Sequence, residues 1–206
     1  MQNQNQQQTN MTTSHQVPQQ FTHGGHEIFD ANEAIRTLVG GMEQCLLYEQ
    51  HVQDPELKAI MQRHKAFNTQ LYNTVLETFK TGQKPSVSTQ VYKMDPSTDN
   101  ISIYGTKPGQ PKAPAASVQE LDDKCISGFV LGNIKAAVSA FAVSALEVTN
   151  PILRRIFADS VPNLIEEAFE LYLYQNKKGY YQVPQLKDQD MANILNTYAP
   201  IQNMTH

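Results

Sequence analysis

A chain of 206 residues, 40% of them hydrophobic, is long enough for one domain with a sizeable core and some unstructured chain, but too short for two large domains. Its net charge of -4 supplies no basic stripe for a phosphate backbone and so argues against nucleic acid as a partner. The two cysteines, Cys45 and Cys125, have no C-x-x-C spacing, which excludes a disulfide framework and reads as two reduced thiols.

Residues 1–26 contain no Asp, Glu, Lys or Arg, and the first twenty include eight Gln and three Asn. Such a polar tract buries too little surface to offset its ordering entropy, so it is expected as a disordered tail. It has neither a basic n-region nor an apolar run, so no Sec-type signal peptide is expected. His23 and His26 flank two glycines, a spacing that offers a metal ion only a weak hold.

Apolar residues at three-and-four spacing predict a first helix over Glu27–Val52, with Ile28, Ala31, Ile35, Leu38, Met42, Cys45 and Val52 on one stripe. A second helix over Pro55–Lys80 places Leu57, Ile60, Met61, Phe67, Leu71, Val75 and Thr78 on another. The five prolines between residues 82 and 116 rule out a long helix there. That segment is expected as a crossover with short extended pieces at Val87–Val91 and Ile101–Tyr104, long enough to span a helix of about 40 Å. A capping box, Ser117-Val118-Gln119-Glu120, is expected to open helix 3.

From Ile126 to Leu146 the only charge is Lys135. Lys135 and Asn133 fall at the centre of this run, where a lysine alone costs about 3 kcal/mol on membrane-insertion scales, so the run reads as the most buried helix of a soluble bundle. Gly128, Gly132, Ala136, Ala140 and Ser144 form a small-residue ridge for a close neighbour. Helix 4 is predicted over Pro151–Lys178 with Ile156, Phe157, Val161, Leu164, Ile165, Ala168, Leu171 and Tyr172 inward and a kink or break near Pro162. After Gly179 an extended exit leads to a short amphipathic helix carrying Leu186, Met191, Ile194, Leu195 and Tyr198, expected to dock on the bundle.

Val52-Gln53-Asp54-Pro55-Glu56-Leu57-Lys58-Ala59-Ile60 and Val148-Thr149-Asn150-Pro151-Ile152-Leu153-Arg154-Arg155-Ile156 share the pattern V-x-[ND]-P-x-L-[KR]-x-I, 96 positions apart. Asn or Asp caps a helix and Pro fits its first position, so each copy reads as a tight turn opening a helix. The expected organisation is a tail at 1–26, hairpins at 27–81 and 117–179 joined by the crossover 82–116, and an exit at 180–206, forming one domain over 27–200. The fold class is therefore all-α: a four-helix bundle of two hairpins with one long crossover, with up-down-up-down connectivity as the alternative.

Ala145–Phe157 (ALEVTNPILRRIF) and Leu171–Leu186 (LYLYQNKKGYYQVPQL) resemble the spore coat protein F family. The resemblance implies a ferritin-like, non-enzymatic bundle of the bacterial endospore coat. Such a protein is made in the mother-cell cytoplasm, deposited with other coat proteins, and able to self-associate. No nucleophile–base, P-loop or dinucleotide motif argues for an enzyme, and no catalytic, cofactor or metal residue is assigned. The Gln-rich tail and Lys177, Lys178 and Lys187 suggest amide and amine partners for cross-linking.

The alternative is a ferritin-like metal-binding or oxidase protein, which needs Glu from two helices and Glu-x-x-His from the other two. Here Glu49 and His64 lie about 9 Å and about 13 Å from the Asp54-Pro55 turn and are expected to meet in the core. Met61 stands where the motif needs Glu, helix 3 has no central carboxylate, and Glu167, paired in sequence with Glu170, contributes only if helix 4 turns its flank inward. Such a set is a poor cage for iron or manganese.

Overall fold

The computed structural model describes residues 11–201. Its α-helices are α1 (Gly25–Tyr48), α2 (Pro55–Thr81), α3 (Asp123–Glu147), α4 (Pro151–Lys177) and α5 (Asp188–Leu195). Helices α1 to α4 form a four-helix bundle in which α1 packs on α2 and α3, and α4 on α2 and α3.

The turn motifs fold as their chemistry requires. The Asp54 carboxylate accepts the N–H of Glu56, and the Asn150 amide oxygen accepts those of Ile152 and Leu153, each ahead of a proline in the first helical turn. Helix α2 ends at Gly82 with φ 67°, a left-handed cap. A side chain there would be strained and would also collide with the Gln19 carbonyl.

Hydrogen bonds at the ends set the direction of the second hairpin. Asp123, at the start of α3, lies against the turn before α2, and Asn150, at the start of α4, bonds the Gly82 carbonyl at the end of α2. Helices α2 and α3 therefore start at the same end, and the crossover runs the length of the bundle. This is the one-long-crossover connectivity.

Two apolar clusters fill the interior. One gathers Ala31, Ala34, Leu38, Val75, Phe141, Phe157 and Leu164, with the Phe141 and Phe157 rings edge to face at 5.0 Å. The other gathers Leu57, Ile60, Met61, Ile126, Val130, Leu171 and Tyr174. Burying each large side chain contributes about 1.5–3 kcal/mol relative to exposure.

Several expectations are corrected. Helix α1 ends at Tyr48, and a hydrogen-bonded turn through His51 carries Val52 into the core from outside the helix. Ser117 and Glu120 close only a single 3-10 turn, because Leu121 is extended; α3 starts after Asp122, whose carboxylate caps the Cys125 N–H. Helix α4 runs without interruption through Pro162, and Ile165, expected inward, is 49% exposed. Its buried face centres instead on Ser160, Leu164, Glu167 and Leu171, which makes α4 rather than α3 the most buried helix. In α3 the small residues Gly128, Gly132 and Ala136 face solvent, and packing uses Ile126, Val130, Ile134, Ala137 and Phe141. Helix α3 is long and apolar enough to cross a membrane, but in the bundle it lies against α1 and α4.

Beyond the helices, Val183 bridges Tyr104 and Gly105, tying the exit to the crossover, whereas Val87–Val91 forms no strand. Helix α5 forms but does not dock: Leu186, Ile194, Leu195 and Tyr198 are all exposed. Residues 14–16 and 19–21 form 3-10 turns, and the Gln19 amide donates to the Gly82 carbonyl at 3.2 Å. The inner end of the expected tail is thus seated on the bundle, while its first ten residues, with most of the glutamines, lie outside the described residues.

Candidate functional site

The polar side chains that the bundle buries fall into end clasps and a central network. At one end Glu27, in the first turn of α1 and fully buried, accepts the N–H groups of Thr149 (2.7 Å) and Asn150 (3.0 Å) and the hydroxyl of Thr149. His23 Nδ1 donates to its other oxygen, with the His23 ring against Phe79. Burial pushes this carboxyl up, but the Thr149, His23 and Asn150 donors outweigh it and hold Glu27 below the usual carboxylate range.

At the other end Asp123, in the first turn of α3, accepts the N–H groups of Gln53 (2.9 Å) and Asp54 (3.0 Å). Glu27 and Asp123 are themselves 96 positions apart, the offset of the turn repeat. Each hairpin therefore starts with an acid that holds the turn of the other hairpin. Both carboxylates neutralise N–H groups that precede a helix, where nothing within the chain segment can pair them. Tyr174 and Lys178 complete the second clasp by donating to Asp54 at 3.1 and 2.6 Å.

Midway lies a polar layer. Glu170, buried on α4, accepts from Arg63 Nη2 (2.7 Å) and the Asp95 N–H (3.3 Å) on one oxygen, and from His64 Nε2 (3.2 Å) and the Tyr92 hydroxyl on the other. Burial raises this carboxyl, and the hydrogen bonds from His64, Tyr92 and Arg63 overcome it, leaving it at about 2. With two donors on each oxygen, Glu170 has no lone pair to offer a metal or a substrate. Burial and the Glu170 carboxylate raise the Tyr92 phenol well above its ordinary value. Tyr92 comes from the crossover, anchored where its N–H meets Asn163 Oδ1 at 2.8 Å. Asn176 fixes the next stretch through both the N–H (2.6 Å) and the carbonyl (2.9 Å) of Ile103.

Glu167, one turn from Glu170, is fully buried, and both its oxygens meet the Asn68 amide nitrogen at 3.2 Å. Burial pushes it up to about 7, against the opposing hydrogen bond of the Asn68 amide. Outside this layer a cleft of about 520 Å³ opens between α2, α4 and the crossover, lined by the apolar Ile60, Ile101, Ile103 and Leu173 and the charged Arg63, Asp95 and Lys177.

The structure separates Glu49 from His64. Glu49, still helical in backbone at the C-cap of α1, pairs with Lys65 at 3.1 and 3.2 Å, and His64 turns to Glu170. Glu167 does turn inward, but it pairs with Asn68. Among the described residues no three His, Cys, Asp or Glu side chains stand together as a metal-holding group. His23 is committed to Glu27, and both cysteines are free thiols, with burial raising Cys45 to about 11. Lys177 and Lys178 are engaged by Glu56 and Asp54. Sequence reasoning missed the roles of Glu27, Asp123, Tyr92 and Asn176; for the first two, the shared offset of 96 is a signal that extends the turn repeat.

Residues 122–184 match the Coat F domain family model. The chain is 44% identical over 179 residues, 87% of its length, to the spore coat protein F-like protein YhcQ of Bacillus subtilis (strain 168), covering 82% of that protein. Its fold matches a crystal structure from Bacillus halodurans C-125 described as a candidate spore coat protein, with a TM-score of 0.58 and 14% identity over 85% of this chain and 99% of the other.

Proposed function

For a chain that belongs to the spore coat protein F family, we propose the role of a non-enzymatic structural unit of the bacterial endospore coat, assembling with other coat proteins. The observation that carries this reading is the 44% identity across most of both chains to a spore coat protein F-like protein. The internal chemistry supports it. The buried acids Glu27 and Glu170 each accept from several donors and serve to hold helices, turns and crossover in place.

Contacts to other coat proteins would come from what the bundle leaves outside: Phe29, Leu46, Leu47, Val143 and Leu146 on the helices, and the undocked α5. In this reading the protein is made in the mother cell and deposited on the forespore, as one helical domain with an amino-terminal polar appendage. The metal-protein alternative needs central carboxylates on the first and third helices. Glu49 is turned away to Lys65, and α3 presents Val130, Ile134 and Ala137 to the interior.

A fluorescent fusion followed through sporulation tests the proposal. A ring of signal around the forespore is expected. Fluorescence that stays diffuse in the mother cell would overturn the coat assignment.

A further inference from the structure

Three polar side chains, His64, Asn68 and Glu167, are among those lining one small cavity between the four helices α1 to α4. Nδ1 of His64 and Oδ1 of Asn68 are buried and have no protein partner, and the His64 side chain is only 3% exposed. The third is the Glu167 carboxyl, held on one side by the Asn68 amide nitrogen. The cavity has a volume of about 40 Å³. Holding one water needs about 10–15 Å³ of such space, so the cavity has room for at least one.

The hydrogen-bond inventory then fixes each role. Glu170 is ionised and accepts on the oxygen facing His64, so Nε2 of the ring is a donor. In the neutral imidazole this leaves Nδ1, on a ring that lines the cavity, as an acceptor. Asn68 Oδ1 is a second acceptor. A carboxyl buried among such groups is favoured in its neutral form, which carries an O–H donor. A water accepts from one donor and donates to two acceptors. We infer that this cavity is a binding site for a single water molecule, which accepts the Glu167 carboxyl proton in a hydrogen bond and donates to His64 Nδ1 and Asn68 Oδ1. The buried polar atoms of His64, Asn68 and Glu167 are then all paired, with Glu167 uncharged.

Other titratable groups facing it are Cys45 from α1, Lys65 from α2, and Glu170 and Tyr92 beyond the His64 ring; α3 presents only Val130, Asn133, Ile134 and Ala137. The site makes the middle of the bundle sensitive to pH. With its folded-state value raised to about 7 from 4.5, Glu167 stabilises the fold fully below pH 4.5. That contribution is lost as pH rises to about 7, a drop of up to about 300-fold in the folding constant, and stays level above.

The test combines a high-resolution crystal structure of the full chain, nitrogen-15 spectra of His64, and unfolding of wild type and Glu167→Gln between pH 4 and pH 8. The amide keeps a donor toward the water but cannot ionise. Expected are one water within hydrogen-bond distance of all three groups, His64 protonated at Nε2 alone, and a wild-type stability that falls relative to E167Q between about pH 4.5 and pH 7. A metal ion in the cavity, a direct His64–Glu167 hydrogen bond, a doubly protonated ring at neutral pH, or parallel pH profiles would overturn it. If E167Q fails to fold, the density and the His64 spectra decide on wild type alone.

Discussion

Glu27 and Asp123 do the same job at opposite ends of the bundle, but in different surroundings: Glu27 is fully buried, whereas Asp123 is partly exposed. Removing a buried acceptor leaves its donors unpaired, at about 1–3 kcal/mol for each buried group. Glu27→Ala, which orphans Thr149, Asn150 and His23, should therefore cost about 3 kcal/mol or more, and Asp123→Ala about 1 kcal/mol, in urea unfolding. Equal costs would show that the two clasps do not differ by burial. Glu170 gives a signed pH prediction. Its folded-state value, near 2, lies below the ordinary 4.5, so its contribution is complete above pH 4.5 and is lost as pH falls toward 2. Acid titration of stability should show this loss in wild type and not in Glu170→Gln. The expected approach of Glu49 to His64 fails because distance along the hairpin does not fix the direction each side chain takes. Glu49 keeps helical backbone angles and meets Lys65, the sequence neighbour of His64, while His64 faces a carboxylate on a different helix.

At the scale of elements, local chemistry was legible where it is strong. Asp54-Pro55, Asn150-Pro151 and Gly82 set helix ends by capping, proline placement and a left-handed glycine, none of which depends on distant packing. The rotation of α4 was not legible, because its buried arc includes Ser160, Asn163, Glu167 and Glu170, polar residues that hydrophobic spacing discounts but that partners on α2 and the crossover satisfy. Pro162 sits on the exposed side of an unbroken helix and leaves the Ala158 carbonyl without its helical donor. Pro162→Ala should restore that bond and raise stability by about 1–3 kcal/mol in thermal or urea unfolding. A loss of stability instead would mean that the proline shapes α4 for its neighbours.

For the whole molecule, the duplicated turn foreshadowed two hairpins, and the reciprocal clasps show how they lock. Glu27 of the first hairpin holds the second turn, and Asp123 of the second holds the first. The long crossover is part of the fold, since Tyr92 and the Ile103 backbone are bound into α4, which Pro-rich composition alone did not reveal. Helix α5 stands apart. Deleting residues 188–206 should leave the melting temperature of the bundle within about 2 °C, because none of the described residues there is buried; a large fall would show that α5 supports the core. Such a variant, stable but lacking the exposed Ile194, Leu195 and Tyr198, also separates folding from assembly. The central claim, that this bundle is a coat component, is tested most directly by immunogold labelling of thin sections of mature spores. Gold confined to the coat ring is the predicted result, and gold in the spore core, or none on the spore at all, would contradict it.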